Sequence, residues 1–365
     1  MKKICFIIPT LDAGGVENYL LRFLQYYDRP NHQITVLVRN NSPGDLGELY
    51  RKLNVSVIRQ EVGYLNPIKW YALYKHFKKA SYDTVCDFNG NFAGIPMLMA
   101  KLSGTKKRLT FYRRSSRGYK ETQLRLTYDN LMNYLVSRYA TKILSNSNYA
   151  LEFFFDKDST QHSSMSVIPN GIDMKVYNNR IPKERARKQL GIKDDVFLVG
   201  HVGRFDPAKN HKFFFKVAKI LVQKWDNTQL LFCGKGTDSS EFKQLADKYD
   251  IGSKCIFLGL QNDIPLILSA LDLFFFPSQT EGQPNALLEA MAIGTPIIAS
   301  DIKPIKEIIP SRYYDEVLVK IDNAGTAAEK ILELRKKGNT QSKLQTFIRE
   351  HYKSGKNYKK FENEL

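Results

Sequence analysis

The sequence predicts an α/β protein made of two Rossmann-like, doubly wound parallel-sheet domains that face a cleft. The chain has 365 residues, which exceeds the roughly 100–200 residues of a typical domain. Short apolar runs alternate with segments of helical periodicity, as in a parallel sheet covered by helices on both faces. A break at residues 167–173, punctuated by Pro169 and Gly171, separates two such series.

The first domain, residues 1–173, begins with a predicted strand, glycine loop and helix. An apolar run at 3–9 precedes Gly14-Gly15, and Val16, Leu20 and Leu24 then recur at helical spacing. Further strands are predicted at 34–38, 84–88, 108–111 and 142–144, and further helices at 67–79, 94–102 and 121–139.

The second domain, residues 174–344, repeats the same alternation. Strands are predicted at 197–202, 229–233, 255–258, 273–276 and 296–300, and helices at 183–190, 211–222, 240–249, 264–271 and 284–292. Residues 345–365 form a separate basic, aromatic-bearing segment that we expect to be helical.

The composition favours a cytoplasmic protein without disulfides. Hydrophobic residues make up 43% and charged residues 25% of the chain, as in ordinary globular proteins. No apolar run approaches the ~18–20 residues that span a bilayer. The four cysteines are scattered through apolar segments and predict buried, reduced thiols, with neither a disulfide framework nor a zinc site (Cys5, Cys86, Cys233 and Cys255).

The net charge of +18 lies mainly in the first half of the chain. Residues 1–180 contain 26 Lys and Arg against 14 Asp and Glu, a surplus of 12. An anionic membrane surface or a nucleic acid would satisfy this charge, but no recognition motif supports a nucleic acid, so none is expected. The segment 67–79 mixes aromatic residues with lysines, which fits an interfacial helix and a core helix with a solvated basic edge equally well.

The stretch 281–289, EGQPNALLE, is the first candidate binding segment. Gly282 permits close backbone approach, and Pro284 is tolerated in a first helical turn, whose N–H groups attract anions and hydroxyls. Glu281 and Glu289 could each contact a different polyhydroxylated part of one long ligand. The spacing alone is weak evidence.

Two cations strengthen this interpretation. Arg204 and Lys209 follow the predicted strand 197–202, and open α/β sheets bind ligands at the carboxyl ends of their strands. An Arg fork and a Lys point charge together suit a diphosphate.

Three glycines give weaker signals. Gly14 and Gly15 form a turn at a helix N-terminus that could face the same phosphates. They lack the full G-x-G-x-x-G pattern, so an NAD(P) site is not expected. Gly234 follows the strand 229–233 and fits a plain tight turn as well as a position near a nucleotide.

These segments together resemble the family-4 retaining glycosyltransferases of the GT-B fold, also called glycosyl transferases group 1. The resemblance rests on the following segments, which share the family's order: 14–17, 167–173, 202–210, 259 with its loop, and 281–301.

The resemblance implies a role for each candidate residue. Glu289 would bind ribose hydroxyls, Glu281 would hold hydroxyls of the transferred sugar, and Arg204 and Lys209 would clamp the diphosphate. The donor-binding set would be completed by Gly14, Gly15, Gly234, Gly282, Gln283, Pro284, Asn285 and Ala286. The chain after about residue 345 would cross back onto the first domain.

The implied activity is retaining transfer of a hexose from a nucleotide diphosphate sugar, with a UDP-sugar favoured. The acceptor would be a lipid-linked or cell-surface saccharide of bacterial polysaccharide, lipopolysaccharide or capsule biosynthesis, bound by the first domain at the inner membrane face. The resemblance implies no metal and no cofactor. The alternative is a non-catalytic nucleotide-sugar-binding or membrane-associated scaffold subunit.

One position departs from the family pattern. Many relatives have a His or Asp at the end of the strand corresponding to 108–111, where this chain has Arg113 nearby. Either an Arg, with Arg113 as the catalytic candidate of the first domain, positions the sugar or an acceptor phosphate, or the catalytic assistance comes from elsewhere. Among the histidines, His201 is expected in the core, and the others are expected near the surface (His32, His76, His162, His211 and His351).

Overall fold

The computed structural model describes residues 1–27, 30–115, 117, 121–155, 164–177, 181–337 and 342–365. The chain divides into two compact units. The first unit comprises Met1–Gly171 and Gly355–Leu365, and the second comprises Ile172–Ser354.

The first unit is built on a seven-stranded sheet in which all neighbouring strands are parallel. Its strands are β1 Lys2–Ile8, β2 His32–Val38, β3 Ser56–Arg59, β4 Thr84–Asp87, β5 Lys107–Tyr112, β6 Lys142–Ser145 and β7 Met165–Val167. Their order is β3-β2-β1-β4-β5-β6-β7, which is doubly wound about β1. All carboxyl ends therefore lie at one edge of the sheet.

Helices cover this sheet. They are α1 Gly15–Tyr26, α2 Gly47–Arg51, α3 Pro67–Ala80, α4 Gly94–Ser103, α5 Gln123–Tyr139 and α6 Asn148–Phe154. The start of α3 shows why a helix forms here: Pro67 occupies the first turn, and the Asn66 side chain caps it by accepting a hydrogen bond from the Lys69 N–H at 3.1 Å.

The second unit has a six-stranded parallel sheet of order β10-β9-β8-β11-β12-β13. Its strands are β8 Phe197–Val202, β9 Thr228–Cys233, β10 Cys255–Gly259, β11 Leu273–Phe276, β12 Ile297–Ser300 and β13 Leu318–Val319. Its helices are α7 Met174–Tyr177, α8 Lys183–Leu190, α9 His211–Lys224, α10 Ser240–Asp247, α11 Ile264–Ala270, α12 Asn285–Ile293, α13 Lys303–Lys306, α14 Tyr314–Val317, α15 Ala324–Lys337 and α16 Ser342–His351.

The chain returns to the first unit later than the expected residue 345. Helix α16 buries Leu344 and Ile348 in the core of the second unit, and Arg349 Nε donates a hydrogen bond to the Ala292 carbonyl oxygen at 2.9 Å. The last helix, α17 Ser354–Glu364, instead packs in the first unit. Its Phe361 is fully buried, with a ring 4.7 Å from that of Phe23.

The cysteines are free thiols, of which Cys255 alone is partly exposed. Burial raises the pKa of Cys233 to about 11 and that of Cys255 to about 12, so both stay protonated near neutral pH. None of the helices in the described ranges is long and apolar enough to cross a bilayer.

Candidate functional site

The loop after β8 presents Arg204 and Lys209 at the carboxyl edge of the second sheet. The Asp206 side chain caps the short 3-10 turn Pro207–Lys209 by accepting a hydrogen bond from the Ala208 N–H at 2.9 Å. Asn210 then adopts a left-handed conformation, with φ of 55°, which allows α9 to start. Arg204 is 60% exposed and pairs with Asp206 at 3.2 Å, so its guanidinium faces solvent where a ligand can reach it.

Lys209 and Glu281 form the central ion pair of this edge. Lys209 Nζ donates a hydrogen bond to Glu281 Oε1 at 2.6 Å, and the two side chains are only 20% and 11% exposed. The strands β8 and β11 are neighbours in the sheet, so the loops that follow them meet at the same edge. A hydrogen bond of 2.8 Å from the Gln279 N–H to the Ala208 carbonyl oxygen joins these loops. The structure thus brings together two residues that the sequence separates by 72 positions.

The segment after Glu281 leads into α12 with the expected N-terminal geometry. Pro284 occupies the N-cap position of α12, and the first-turn amides that follow have no carbonyl partner inside the helix. Gln283 and Glu289 are each 7% exposed. The edge therefore combines two cations, three carboxylates (Asp206, Glu281 and Glu289) and the positive end of a helix, which suits a ligand that has both anionic and hydroxyl groups.

Gly234 supports the cation loop by close packing. Its φ is +143°, and a Cβ at this position would lie 2.3 Å from the Gly203 carbonyl oxygen and 2.9 Å from the Arg204 nitrogen. Only glycine fits there without moving backbone. This close packing fixes the position of Gly203-Arg204, and a position of Gly234 near a nucleotide stays a prediction.

Two histidines lie beneath the Lys209–Glu281 pair. His201 is buried as expected, but the surface position expected for His211 is wrong, because His211 is 3% exposed. Its ring packs 4.9 Å from Phe242 and 5.0 Å from His201. Burial, and next the nearby Lys209, lower the pKa of His211 to about 3, so this imidazole is neutral. His162 lies outside the described residues.

In the first unit, Gly14 and Gly15 form the start of α1. Gly14 is the N-cap residue, and a Cβ on Gly15 would meet nothing within 4 Å. The fold of the unit itself therefore does not require glycine at position 15. The buried Glu17 lies in the same helical turn, where Thr10 Oγ1 donates a hydrogen bond to its carboxylate at 3.1 Å.

Arg113 follows β5 and is held between aromatic rings. Its guanidinium lies 3.7 Å from the centre of the Tyr19 ring and donates a hydrogen bond to the Asn170 side chain. Its Nε and Nη1 are buried and have no hydrogen-bond partner among the described residues. Burial lowers the pKa of Arg113 to about 10, and it remains a cation near neutral pH. Two guanidinium nitrogens at a strand end could therefore donate hydrogen bonds to a ligand.

Sequence reasoning missed polar residues at the carboxyl ends of β2 and β4, where no motif marks them. Asp87, the last residue of β4, is fully buried, and Arg39 directly follows β2. The position of a polar residue just after an apolar strand was the one signal that could have identified them. Over the described ranges, no group of three or more His, Cys, Asp or Glu side chains is arranged to hold a metal.

Both units match families of known proteins in sequence. The family model described as "Glycosyl transferases group 1" matches residues 182–351, and the one described as "Glycosyltransferase Family 4" matches residues 13–176. The chain is 25% identical over 325 residues to the Escherichia coli UDP-Gal:alpha-D-GlcNAc-diphosphoundecaprenol alpha-1,3-galactosyltransferase, covering 87% of this chain and 83% of the relative.

A second relative, from Campylobacter jejuni, is named N-acetylgalactosamine-N,N'-diacetylbacillosaminyl-diphospho-undecaprenol 4-alpha-N-acetylgalactosaminyltransferase. It is 24% identical over 331 residues, with 88% of this chain and 87% of the relative covered. The crystal structure of Anabaena HepE in complex with UDP and glucose superposes with a TM-score of 0.80 at 20% identity, covering 100% of this chain and 99% of that one. The two family models match consecutive stretches of the sequence, one in each parallel-sheet unit. The chain belongs to the group 1 glycosyltransferases of the GT-B fold.

Proposed function

We propose that this glycosyltransferase moves a hexose from a nucleotide diphosphate sugar, with a UDP-sugar favoured, onto a lipid-linked or cell-surface saccharide with retention of configuration. The observation on which this proposal depends is the Lys209–Glu281 pair at 2.6 Å, beside Arg204 and the first turn of α12. On one sheet edge, this arrangement places groups that can bind a negatively charged ligand beside a carboxylate that can bind hydroxyl groups.

The proposed chemistry follows from where charge develops. As the bond between the sugar and the diphosphate lengthens, the leaving diphosphate gains negative charge. Arg204, Lys209 and the first-turn amides of α12 would stabilise that charge, and one preorganised donor of this kind typically contributes about 3–4 kcal/mol to lowering the barrier. Glu281 holds Lys209 in place and has further lone pairs that can accept hydrogen bonds from sugar hydroxyls.

The remaining donor contacts are proposed from the positions of the candidate residues in the fold. Glu289, on α12, would accept hydrogen bonds from the ribose hydroxyls, and backbone groups from Gly282 to Ala286 would contact sugar and phosphate. Gly14, Gly15 and Arg113 of the first unit would assist at the phosphates or the acceptor. The names of the relatives support a UDP-linked donor and a diphospho-undecaprenol-linked acceptor.

The same proposal includes peripheral association of the first unit with the inner face of the cell membrane. On α3, Leu73 and Phe77 are buried while Ile68 is 81% and Tyr71 57% exposed, and the last turn of the same helix carries Lys78 and Lys79. Exposed apolar side chains flanked by lysines suit an anionic bilayer surface. Sedimentation with anionic vesicles but not with neutral ones is the expected result, and equal sedimentation with both would contradict this part.

A panel of nucleotide sugars tests the donor assignment. We expect UDP-hexoses to raise the melting temperature of the wild-type protein, because a ligand that binds only the folded state stabilises it by mass action. Transfer to a diphosphate-lipid-linked saccharide should continue in excess EDTA, since this chain's own cations and amides stabilise the leaving group. Loss of transfer in EDTA would refute metal independence, and absence of a shift with every nucleotide sugar would refute the donor site.

A further inference from the structure

A cavity lies at the amino edge of the second sheet, opposite the edge that presents Lys209 and Glu281. Its volume is about 620 Å³, which is the size of an ordinary small-molecule site. Phe197 and Leu273 line it and are the first residues of β8 and β11, and Pro296 directly precedes β12. All of its described lining residues belong to the second unit. The cavity is therefore separate from the candidate donor site, although the same strands border both.

Arg335, in the last turn of α15, supplies a fixed cation to the wall of this cavity. Its guanidinium carbon lies 3.4 Å from the centre of the Trp225 ring and 5.0 Å from that of the Phe197 ring. Stacking on aromatic rings restricts the orientation of the guanidinium but leaves its N–H groups unused. Arg335 has neither a hydrogen bond nor an ion pair with any other described residue. Its N–H groups can therefore donate to an anion that enters the cavity.

An ion-pair network centred on Asp272 fixes another wall of the cavity. Asp272 accepts a hydrogen bond from Lys183 Nζ at 2.9 Å and another from Arg187 Nη2 at 2.6 Å. The Leu198 N–H also donates to this carboxylate at 2.7 Å. Arg187 is only 1% exposed. Because two cations compensate its charge, Asp272 is not available to a cationic ligand, and the wall is in place before any ligand arrives.

The charges around the cavity favour a ligand with a single negative charge. The described lining contains two cations and two carboxylates, namely Lys183, Arg335, Asp195 and Asp272. Arg187, which is paired with Asp272, adds a third cation. The surplus is therefore one positive charge, which a monoanion balances and a dianion exceeds. Among monoanions, a carboxylate matches the planar fork of an arginine.

The rest of the described lining is mainly apolar. It includes the side chains of Val196, Phe197, Leu271, Leu273, Pro296 and Leu334. All of these except Pro296 are buried in the fold, so the apolar surface that they offer to the cavity is held in place. A ligand with an apolar body would remove this surface from water, which a small hydrophilic anion would not do.

We infer that this cavity binds a small organic acid that has one carboxylate and an apolar body. Arg335 binds the carboxylate, and Phe197 and Leu273 contact the apolar body. The inference goes beyond the proposed function and does not depend on it, since neither the sugar donor nor the saccharide acceptor is assigned to this edge of the sheet.

Equilibrium binding to the full-length protein tests the inference with three probes: phenylbutyrate, the neutral phenylbutanol and acetate. We expect phenylbutyrate to bind most tightly, because it alone combines a carboxylate with an apolar body. Its dissociation constant should be about 1 mM, as for a ligand of its size at ordinary efficiency. Arg335→Gln should weaken phenylbutyrate by about tenfold, the loss of one charge-assisted contact, and leave phenylbutanol unchanged. Ile181→Asn, in the lining, should weaken both phenyl probes.

Arg185→Gln is the matched control, because it removes the same charge from an exposed site on α8 outside the cavity lining; it should bind all probes like the wild type. Arg335→Lys keeps the charge without the fork and should retain more affinity for phenylbutyrate than Arg335→Gln. Normal phenylbutanol binding in Arg335→Gln would show that the cavity is still folded. The inference would be overturned if the wild type did not bind phenylbutyrate, bound it no more tightly than phenylbutanol, or bound it no better than Arg335→Gln does.

UDP binding distinguishes this inference from the proposed function. Strand β8 has six residues, so its two ends are about 20 Å apart. Saturating UDP should therefore not displace phenylbutyrate, and Arg335→Gln should bind UDP normally. Displacement by UDP would show that both probes use one site and would overturn the inference. A wild-type protein that binds phenylbutyrate but no nucleotide sugar would refute the donor assignment while leaving the cavity supported.

Discussion

Replacing Lys209 by Met removes the ammonium group that Glu281 binds at 2.6 Å while keeping most of the side-chain volume. A hydrogen bond between charged groups contributes about 1.5–3 kcal/mol to stability. Breaking a fully buried pair costs about 3–5 kcal/mol, because the remaining charge is left without a partner. The side chains of this pair are 20% and 11% exposed, so water reaches them in part. We therefore expect the free energy of unfolding to fall by about 2–3 kcal/mol.

The same substitution should reduce catalysis more than folding. If Lys209 stabilises the leaving diphosphate, its loss should lower kcat/KM for transfer by about 10²–10³-fold, as for other preorganised charge stabilisers. Adding Glu281→Gln removes the carboxylate that has lost its ion pair with Lys209, so the double variant should regain part of the stability that Lys209→Met loses but none of the lost activity.

Denaturant unfolding and steady-state transfer kinetics measure these two effects separately. Lys216→Met is the matched control, since Lys216 is exposed on the neighbouring helix α9; its unfolding free energy should stay within about 0.5 kcal/mol of the wild type. A folded Lys209→Met protein with kcat/KM within about threefold of wild type would refute the leaving-group role, since threefold is well under 1 kcal/mol of barrier.

Three further predictions concern individual residues in or near the candidate site. Gly234→Ala should destabilise the second unit by about 1–3 kcal/mol more than Gly191→Ala and weaken UDP binding, because both positions have positive φ but only Gly234 packs against backbone; equal loss in calorimetry would contradict this. The pKa of His211 is lowered to about 3 from 6.5, so the unfolded chain takes up a proton first, and stability should fall as the pH drops from about 6.5 towards 3. His211→Phe should flatten this dependence in denaturation series, and an unchanged slope would argue against it. Arg113→Lys should slow transfer while preserving UDP affinity; a kcat equal to wild type would exclude a role for its two guanidinium nitrogens without described partners.

The sequence predicted buried elements well and half-exposed ones poorly. The strands β8 and β11 have the predicted bounds, because each is mostly apolar and is followed by glycine or proline. Strand β3 was not predicted, since Ser56–Arg59 is a half-exposed edge strand without a clear apolar pattern. The expected crossing at residue 345 falls inside α16, because the apolar spacing of Leu344 and Ile348 does not reveal which core the helix covers.

The placement of the candidate site residues was predictable where a motif and a strand end coincide. Lys209 and Glu281 were identified from sequence, but their hydrogen bond was not, because contacts between loops 72 residues apart depend on strand order. His211 was misjudged since its polar neighbours suggest a surface, whereas the turn at Asn210 directs this ring against Phe205 and Phe242.

Both the donor site and retention can be tested in one experiment, in which an isotopically labelled hexose is transferred from UDP-hexose to a diphosphate-lipid-linked saccharide and the anomeric configuration of the product is read by NMR. We expect the wild-type protein to form a product with the anomeric configuration of the donor, and Lys209→Met to form the same product at least about 100-fold more slowly. An inverted product would contradict retention. Transfer by Lys209→Met at the wild-type rate would contradict the assignment of the Lys209–Glu281 edge as the donor site.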